Sequence, residues 1–150
     1  MTIKLKDTKL NILIAYPYFS NSCRKELVST FHPDEYRLIV DSGAFSAYNS
    51  GMTIELPKYC EFIDSLKLDI PKFDYVQLDV VFDEEGTIRN YRKMLEDGYD
   101  PCPVYTRGSK KEYWQELLDT KKYIFVGGVQ GGEGARNYKC CIRREQPCRF

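Results

Sequence analysis

The hydrophobic residues of the chain fall into five short apolar runs separated by segments with helical periodicity. The apolar runs occupy residues 12–16, 38–40, 75–78, 103–105 and 123–126. Between consecutive runs, apolar side chains recur three and four positions apart, which is the spacing of one face of a helix. The clearest set stands at positions 59, 62, 63 and 66. The pattern predicts five strands, with a helix between each strand and the next.

Capping residues indicate where these helices begin and end. Asp83 suits the N-cap of the third predicted helix, and Asp97 followed by Gly98 is typical of a helix C-terminus. Ser109 opens a capping box, so the fourth helix is expected to begin directly after it.

Strands that alternate with helices of this length predict right-handed βαβ units and a parallel sheet. Two α/β folds satisfy the pattern: an open doubly wound sheet and a (β/α)8 barrel. A complete barrel needs roughly 200 residues or more, whereas the chain has 150. The pattern stops near residue 136, and residues 137–150 form a basic, cysteine-containing segment without an apolar period. We therefore expect an α/β domain over residues 1–136 and an atypical tail over residues 137–150.

Charge and hydropathy narrow the function classes. Lys and Arg together number 22, as do Asp and Glu, so the formal net charge is zero. No overall basic field is present to attract nucleic acid, although a local basic patch is compatible with this balance. The sequence has no secretory apolar segment and no apolar run near 18 residues, which predicts no membrane partner and a cytoplasmic location.

The cysteine and histidine positions do not suggest a metal centre. Three of the six cysteines are Cys140, Cys141 and Cys148, and their spacing lacks the CxxC-like pair of most zinc sites. The single histidine, His32, precedes a proline in a loop. The chain therefore offers no Ser-His-Asp or Cys-His system, and we predict no metal and no cofactor.

Polar or glycine-rich segments follow four of the five predicted strands. They are Asp41-Ser42-Gly43 after the second strand, Asp79 after the third, Tyr105-Thr106 after the fourth, and Gly127-Gly128 after the fifth. The carboxyl ends of parallel strands lie along one edge of the sheet, where α/β proteins bind their ligands. An aspartate after a strand is as often the cap of the next turn, and this alternative stays open for Asp41. For Asp79 we favour a functional role over a capping role, because Asp83 is the better cap for the following helix.

Three of these segments together resemble a known family. "VDSGAFS" looks like the DSGG-aromatic-Gln motif of the tRNA-guanine transglycosylases (the queuine tRNA-ribosyltransferase family). "VQLDVV" resembles the family's strand that ends in a base-recognising aspartate, and "FVGGVQGGEGAR" is similar to its "GGLAVGEG" segment. Ala44 in place of a second glycine is closer to phage and bacterial relatives that act on DNA. The resemblance covers roughly residues 10–136, and the three motifs occur in the family's order.

The resemblance implies a partial (β/α)8 barrel, of about five βα units with parallel strands. It also implies exchange of guanine for a 7-deazaguanine base in tRNA or DNA, in a bacterial or phage-infected cytoplasm. Asp41 would be the catalytic residue that assists proton transfer. The resemblance also implies a set of substrate-binding residues, in which Tyr105 is included because it stands where the family has a glutamine. They are Ser42, Gly43, Phe45, Asp79, Tyr105, Gly127 and Gly128.

The sequence departs from the family in three respects. Tyr105 and Thr106 stand where the family has a glutamine. The family's aspartate nucleophile lies on a later strand, so no residue of this chain takes that role. The family's zinc motif is also absent from this sequence, which agrees with the prediction of no cofactor. We therefore expect an incomplete barrel, the N-terminal part of a longer protein, which associates with itself or with a partner subunit.

Two alternative functions remain open from the sequence. The first is a non-catalytic module, or a remnant of an enzyme, that binds a nucleobase or nucleic acid. The second is an unrelated metal-dependent barrel in which Asp41, Asp79 and Asp83 bind Mg²⁺, since carboxylate oxygens are the ligands this ion prefers.

Overall fold

The computed structural model describes residues 9–121, 123–127 and 140–143, the last four as backbone only. All five predicted strands and all four predicted helices are present. The strands are β1 Leu10–Ala15, β2 Tyr36–Asp41, β3 Asp74–Tyr75, β4 Val104–Thr106, β5 Tyr123–Gly127 and β6 Cys140–Arg143. The helices are α1 Asn21–Thr30, α2 Ala44–Asn49, α3 Leu56–Lys67, α4 Glu84–Glu96 and α5 Lys111–Thr120, and a 3-10 turn spans Tyr16–Tyr18.

The first five strands are parallel and lie side by side in chain order. β1, β2 and β3 form one sheet, and β4 and β5 belong to a second. A parallel bridge between Val76 and Cys102 joins the two sheets. There the Gln77 N–H donates to the Cys102 carbonyl at 2.9 Å, and the Cys102 N–H donates to the Tyr75 carbonyl at 2.7 Å. The chain is therefore an α/β protein, and this run of strands lacks the reversal of order that defines a doubly wound sheet.

β6 is a strand that the sequence did not predict. It pairs antiparallel with β5, from the Tyr123–Arg143 pair to the Val126–Cys140 pair. These residues belong to the segment predicted as a separate tail, and the expectation of parallel strands alone is wrong for them. Residues 140–143 have no alternation of apolar and polar residues that would predict a strand, so only the pairing with β5 identifies β6.

The observed helix ends match those predicted from capping residues at two positions and differ at a third. The Asp83 side chain accepts the Gly86 N–H at 2.8 Å and caps α4. Gly98, with φ of +85°, follows the end of that helix. The capping box at Ser109 is wrong, because the Ser109 N–H donates to the Thr106 carbonyl at 3.0 Å in a turn. α5 begins two residues later, after Lys110.

The two faces of the sheet are covered differently. On one face, Tyr36, Leu38 and Val40 of β2 alternate with more exposed residues and pack with α1 and α3. On the opposite face, a smaller apolar cluster joins neighbouring strands; its members are Val76, Val104 and Phe125, with Ile39 and Cys102 packed against them. Alternation along the strands places these two clusters on opposite sides of the sheet. Helices α1 and α3 therefore cover the first face, and the second cluster is built from strand residues.

Candidate functional site

The carboxyl end of β2 turns sharply at Gly43. The Gly43 φ angle is +71°, and its N–H donates to Asp41 Oδ2 at 3.1 Å. A Cβ at this position would lie 2.4 Å from the Pro17 side chain. Gly43 is therefore required both by its backbone conformation and by its close contact with the 3-10 turn. The turn directs the chain into α2 and leaves Asp41 at the end of the strand.

Ser42 connects this turn to the end of the third strand. Its side chain is fully buried, and its hydroxyl donates to Asp79 Oδ1 at 2.8 Å. The Ser42 hydroxyl oxygen also accepts the Ala44 N–H at 3.3 Å. The structure thus brings together four of the predicted site residues, Asp41, Ser42, Gly43 and Asp79. Ser42 and Asp79 are 37 positions apart in sequence.

Two polar side chains from helices hold the backbone of the segment that leads to Asp79. The Tyr59 hydroxyl donates to the Val76 carbonyl at 2.7 Å, and the Asn90 amide donates to the Leu78 carbonyl at 3.0 Å. Burial raises the pKa of Tyr59 well above its ordinary value, and the charge of Asp41 adds to the shift. Tyr59 therefore stays protonated and remains a donor. The sequence did not indicate a role for Tyr59 or Asn90, because their spacing on helices is that of ordinary core and surface positions.

A cavity of about 200 Å³ opens beside Asp79. Its walls come from α2, from residues 52–54, from residues 78–81 and from Asn90 of α4. This volume is below the roughly 300–1,000 Å³ of pockets for drug-sized ligands. The cavity therefore suits a ligand about the size of one heterocycle. Asp41 is not part of its wall, although the Ser42 hydrogen bond links the Asp41 turn to it.

The remaining predicted residues lie in different places. Phe45 is half-buried in the first turn of α2. Tyr105 points to the helix-covered side of its strand, where it packs against Tyr113 and Trp114 of α5 and its hydroxyl donates to the Ser109 carbonyl at 2.8 Å. The structure therefore does not bring Tyr105 to the Asp79 cavity.

Gly127 ends β5 and pairs with Thr106, at the same edge of the sheet as Asp41. β4 separates β5 from the third strand, so Gly127 stands two strands from Asp79, or roughly 10 Å along the sheet. Gly128 lies outside the described residues.

The proposed Mg²⁺ set is not assembled. Asp83 caps α4 and lies 3.4 Å from Arg89, whereas Asp79 accepts the Ser42 hydroxyl. Over residues 9–121 and 123–127, no three His, Cys, Asp or Glu side chains are grouped so that they could hold a metal ion. The hypothesis of a magnesium site at Asp41, Asp79 and Asp83 is therefore wrong.

The arrangement offers hydrogen-bond acceptors on the wall of a small cavity. Asp79 lies on the cavity wall, and a carboxylate has lone pairs enough to accept two N–H donors from a flat edge with charge-assisted hydrogen bonds besides the Ser42 hydroxyl. Such bonds are shorter and stronger than those between neutral groups, and a neighbouring N–H and NH2 match the two carboxylate oxygens. The site is therefore chemically suited to a planar ligand with an N–H-rich edge.

No protein-family model, curated protein or solved structure matches this chain. Among the helices that the structure describes, none is both long and apolar enough to cross a membrane.

Proposed function

We propose that the chain is a guanine transglycosylase-like protein that binds guanine or a 7-deazaguanine and exchanges one for the other in tRNA or DNA. The observation that carries the proposal is the hydrogen bond between Ser42 and Asp79. It joins the two segments that resemble the family's base-binding motifs, beside a cavity the size of one heterocycle. In this role Asp79 accepts the N1–H and the 2-amino group of the base.

The strand arrangement supports a partial (β/α)8 barrel as the frame of this site. The five parallel strands follow one another in chain order, as barrel strands do. The face opposite α1 and α3 carries the cluster of Val76, Val104 and Phe125, built in the described residues from strand side chains, and in a barrel this face would be the interior. In a barrel the carboxyl ends of all strands surround one site, so Asp41, Asp79 and Gly127 would share it.

Base exchange breaks an N-glycosidic bond through an oxocarbenium-like state, as glycoside hydrolysis does. Asp41 is the residue proposed to assist proton transfer, and the nucleophile of the family has no counterpart in this sequence. In the proposed exchange, a partner subunit supplies the nucleophile. A target base must also leave its stack before it can enter the cavity.

Equilibrium binding of labelled guanine and of a 7-deazaguanine tests the base-binding role. We expect the purified chain to bind both, and Asp79→Asn to weaken binding roughly ten- to hundredfold, through loss of charge-assisted hydrogen bonds. Asp34→Asn is a matched control, because Asp34 is exposed in the loop before β2, at the opposite edge of the sheet. Failure of the wild-type chain to bind either base would rule out the proposed function.

A non-catalytic base-binding protein is the second candidate, favoured by the cavity itself, whose wall includes Asp79 but not Asp41. Incorporation of labelled guanine into tRNA and into DNA separates the two candidates. Exchange that depends on Asp41 supports the transglycosylase, and binding that depends on Asp79 without any exchange supports the binding protein. Asp41→Asn is expected to abolish exchange while it leaves the affinity for free guanine within a fewfold.

A further inference from the structure

Phe82 has a backbone conformation that its residue type does not favour. Its φ angle is +62°, and over the described part of the chain it is the one residue other than glycine with a positive φ. A bulky side chain is uncommon in this left-handed region because its Cβ approaches the backbone. The ring gains little from burial in return, since 66 % of the residue is exposed. Folding alone does not account for a phenylalanine here.

A second exposed ring lies against Phe82. Tyr48, in the last turn of α2, is 54 % exposed, and the two ring centroids are 5.5 Å apart at an angle of 81°. This is an edge-to-face contact. Tyr48 also lines the cavity beside Asp79, as do Val80 and Val81 immediately before Phe82. The aromatic pair therefore stands at the mouth of the cavity, partly in solvent.

The loop that carries Phe82 is anchored on both sides. The Val80 N–H donates to the buried Thr87 hydroxyl at 2.9 Å. Asp83 caps α4 through the Gly86 N–H at 2.8 Å. These hydrogen bonds fix the residues on each side of Phe82, so the surrounding structure imposes its unusual conformation. Conformations of this kind concentrate at ligand-binding sites.

We propose that Tyr48 and Phe82 form an aromatic clamp at the mouth of the cavity beside Asp79, in which a planar heteroaromatic base stacks on one ring and meets the other edge-to-face. Aromatic rings stack on the faces of all bases, while a carboxylate selects by the hydrogen-bonding edge. The two functions are thus divided: the rings supply affinity for any base, and Asp79 supplies preference for guanine. The clamp rests on the proposed function only for that preference.

The clamp is tested with pairs of variants that differ in the presence of a ring. Phe82→Leu and Tyr48→Leu remove a ring and keep apolar volume, whereas Phe82→Tyr and Tyr48→Phe retain it. Tyr18→Leu is the control, because Tyr18 is 65 % exposed but belongs to the 3-10 turn and does not line the cavity. The probes are free guanine, free adenine, a short single-stranded oligonucleotide, and the same oligonucleotide with abasic positions. Binding is measured by calorimetry.

We expect each leucine variant at Tyr48 or Phe82 to lose about tenfold in affinity for the base-containing probes, in line with loss of one contact between the base and a ring, stacked or edge-to-face. The ring-retaining variants and Tyr18→Leu should bind as the wild type does. Ring-dependent binding of free bases identifies the free base as the ligand. Ring-dependent binding of the intact but not the abasic oligonucleotide identifies a base within a strand.

The clamp and the proposed function fail in different ways. Leucine variants that bind as tightly as the wild type, or a wild type that binds none of the probes, would overturn the clamp. If those variants bind normally but Asp79→Asn still loses guanine, the proposed function stands without the clamp. If adenine and guanine bind equally and both depend on the rings, the clamp stands and the preference for guanine is refuted.

Discussion

At the scale of single residues, the site depends on a glycine that is constrained in two independent ways. Gly43 has a positive φ, and a Cβ there would meet the ring of Pro17 at 2.4 Å. Gly51 also has a positive φ, of +68°, but a Cβ there would meet nothing within 4 Å. Alanine substitutions at the two glycines therefore separate the destabilisation due to the left-handed backbone conformation from that due to the contact with Pro17.

We expect Gly43→Ala to lower the free energy of unfolding by about 3 kcal/mol, through the left-handed conformation and the overlap with Pro17. Gly51→Ala should lower it by about 1 kcal/mol, because only the conformational term applies. Urea unfolding of both variants checks the difference. Equal losses would mean that the contact with Pro17 does not constrain the turn.

The sequence singled out residues that follow a predicted strand. Asp41, Ser42 and Asp79 stand out because each is a polar residue next to an apolar run, and the structure brings them together. Tyr59 and Asn90 support the same site from helices, where a tyrosine or asparagine at helical spacing carries no distinguishing signal. Tertiary contacts of this kind are invisible to periodicity, since they depend on which helix crosses which strand.

At the scale of elements, Gln77 holds the third strand, α4 and β4 together. It is fully buried, its Oε1 accepts the Val104 N–H at 2.9 Å, and its Nε2 donates to the Thr87 carbonyl at 2.9 Å. The side chain thereby bonds to main-chain groups near the Val76–Cys102 bridge that joins the two sheets. The alternating pattern around Gln77 predicted a strand but not this role for its amide.

Gln77→Met should lower the free energy of unfolding by about 1–3 kcal/mol, because the buried Val104 N–H loses its acceptor and the Thr87 carbonyl loses one of its donors. Gln115→Met is the matched control: Gln115 is exposed on α5, and its amide donates to Asp119 at 3.1 Å. Its change should stay within about 0.5 kcal/mol. Denaturant unfolding measures both, and a small effect at Gln77 would show that the amide contributes little to joining the sheets.

Strand and helix positions were predictable because each element has its own hydrophobic period, and all five predicted strands are found. α2 was not predicted, since six residues are too few to establish a helical period. β6 was not predicted either, because its strand character comes from pairing with β5. The order of strands within the sheet is a tertiary property, which the alternation of elements left open between two folds.

A contact between α3 and the segment after α4 makes stability depend on pH. The Tyr99 hydroxyl donates to Asp64 Oδ2 at 2.6 Å, and Lys67 lies 2.8 Å from Oδ1. Hydrogen bonds from Lys67 and then from Tyr99 lower the pKa of Asp64 below its ordinary value of 3.8. A lowered pKa means that the stabilisation is present above the unfolded-state pKa and is lost as pH falls through the folded-state value.

We expect Asp64→Asn to be less stable than the wild type at about pH 6, by less than about 1 kcal/mol because the pair is exposed. The difference should disappear as the pH falls from about 5 to about 2, where the wild-type carboxylate is protonated. Tyr99→Phe should show a smaller loss over the same range. Urea unfolding at several pH values checks this, and a difference that does not vary with pH would contradict it.

At the scale of the whole molecule, the face of the sheet opposite α1 and α3 reaches the surface at β1. Leu13 pairs in register with Ile39, which packs against the apolar cluster of that face, yet Leu13 is 64 % exposed. Within the described residues, β1 is bonded to β2 alone. An apolar side chain beside a strand edge favours association with another chain. This placement gives the expected self-association a specific location.

If this face mediates association, Leu13→Lys should shift the chain toward the monomer, because a charge would have to be buried in the contact. Leu68→Lys is the matched control: Leu68 is 83 % exposed at the end of α3, on the helix-covered side. Sedimentation velocity over a range of concentrations measures both variants against the wild type. We expect association to weaken for Leu13→Lys and to persist for Leu68→Lys. A wild-type chain that remains monomeric and melts sharply and reversibly would instead mean that this face needs no partner, which would count against the partial barrel.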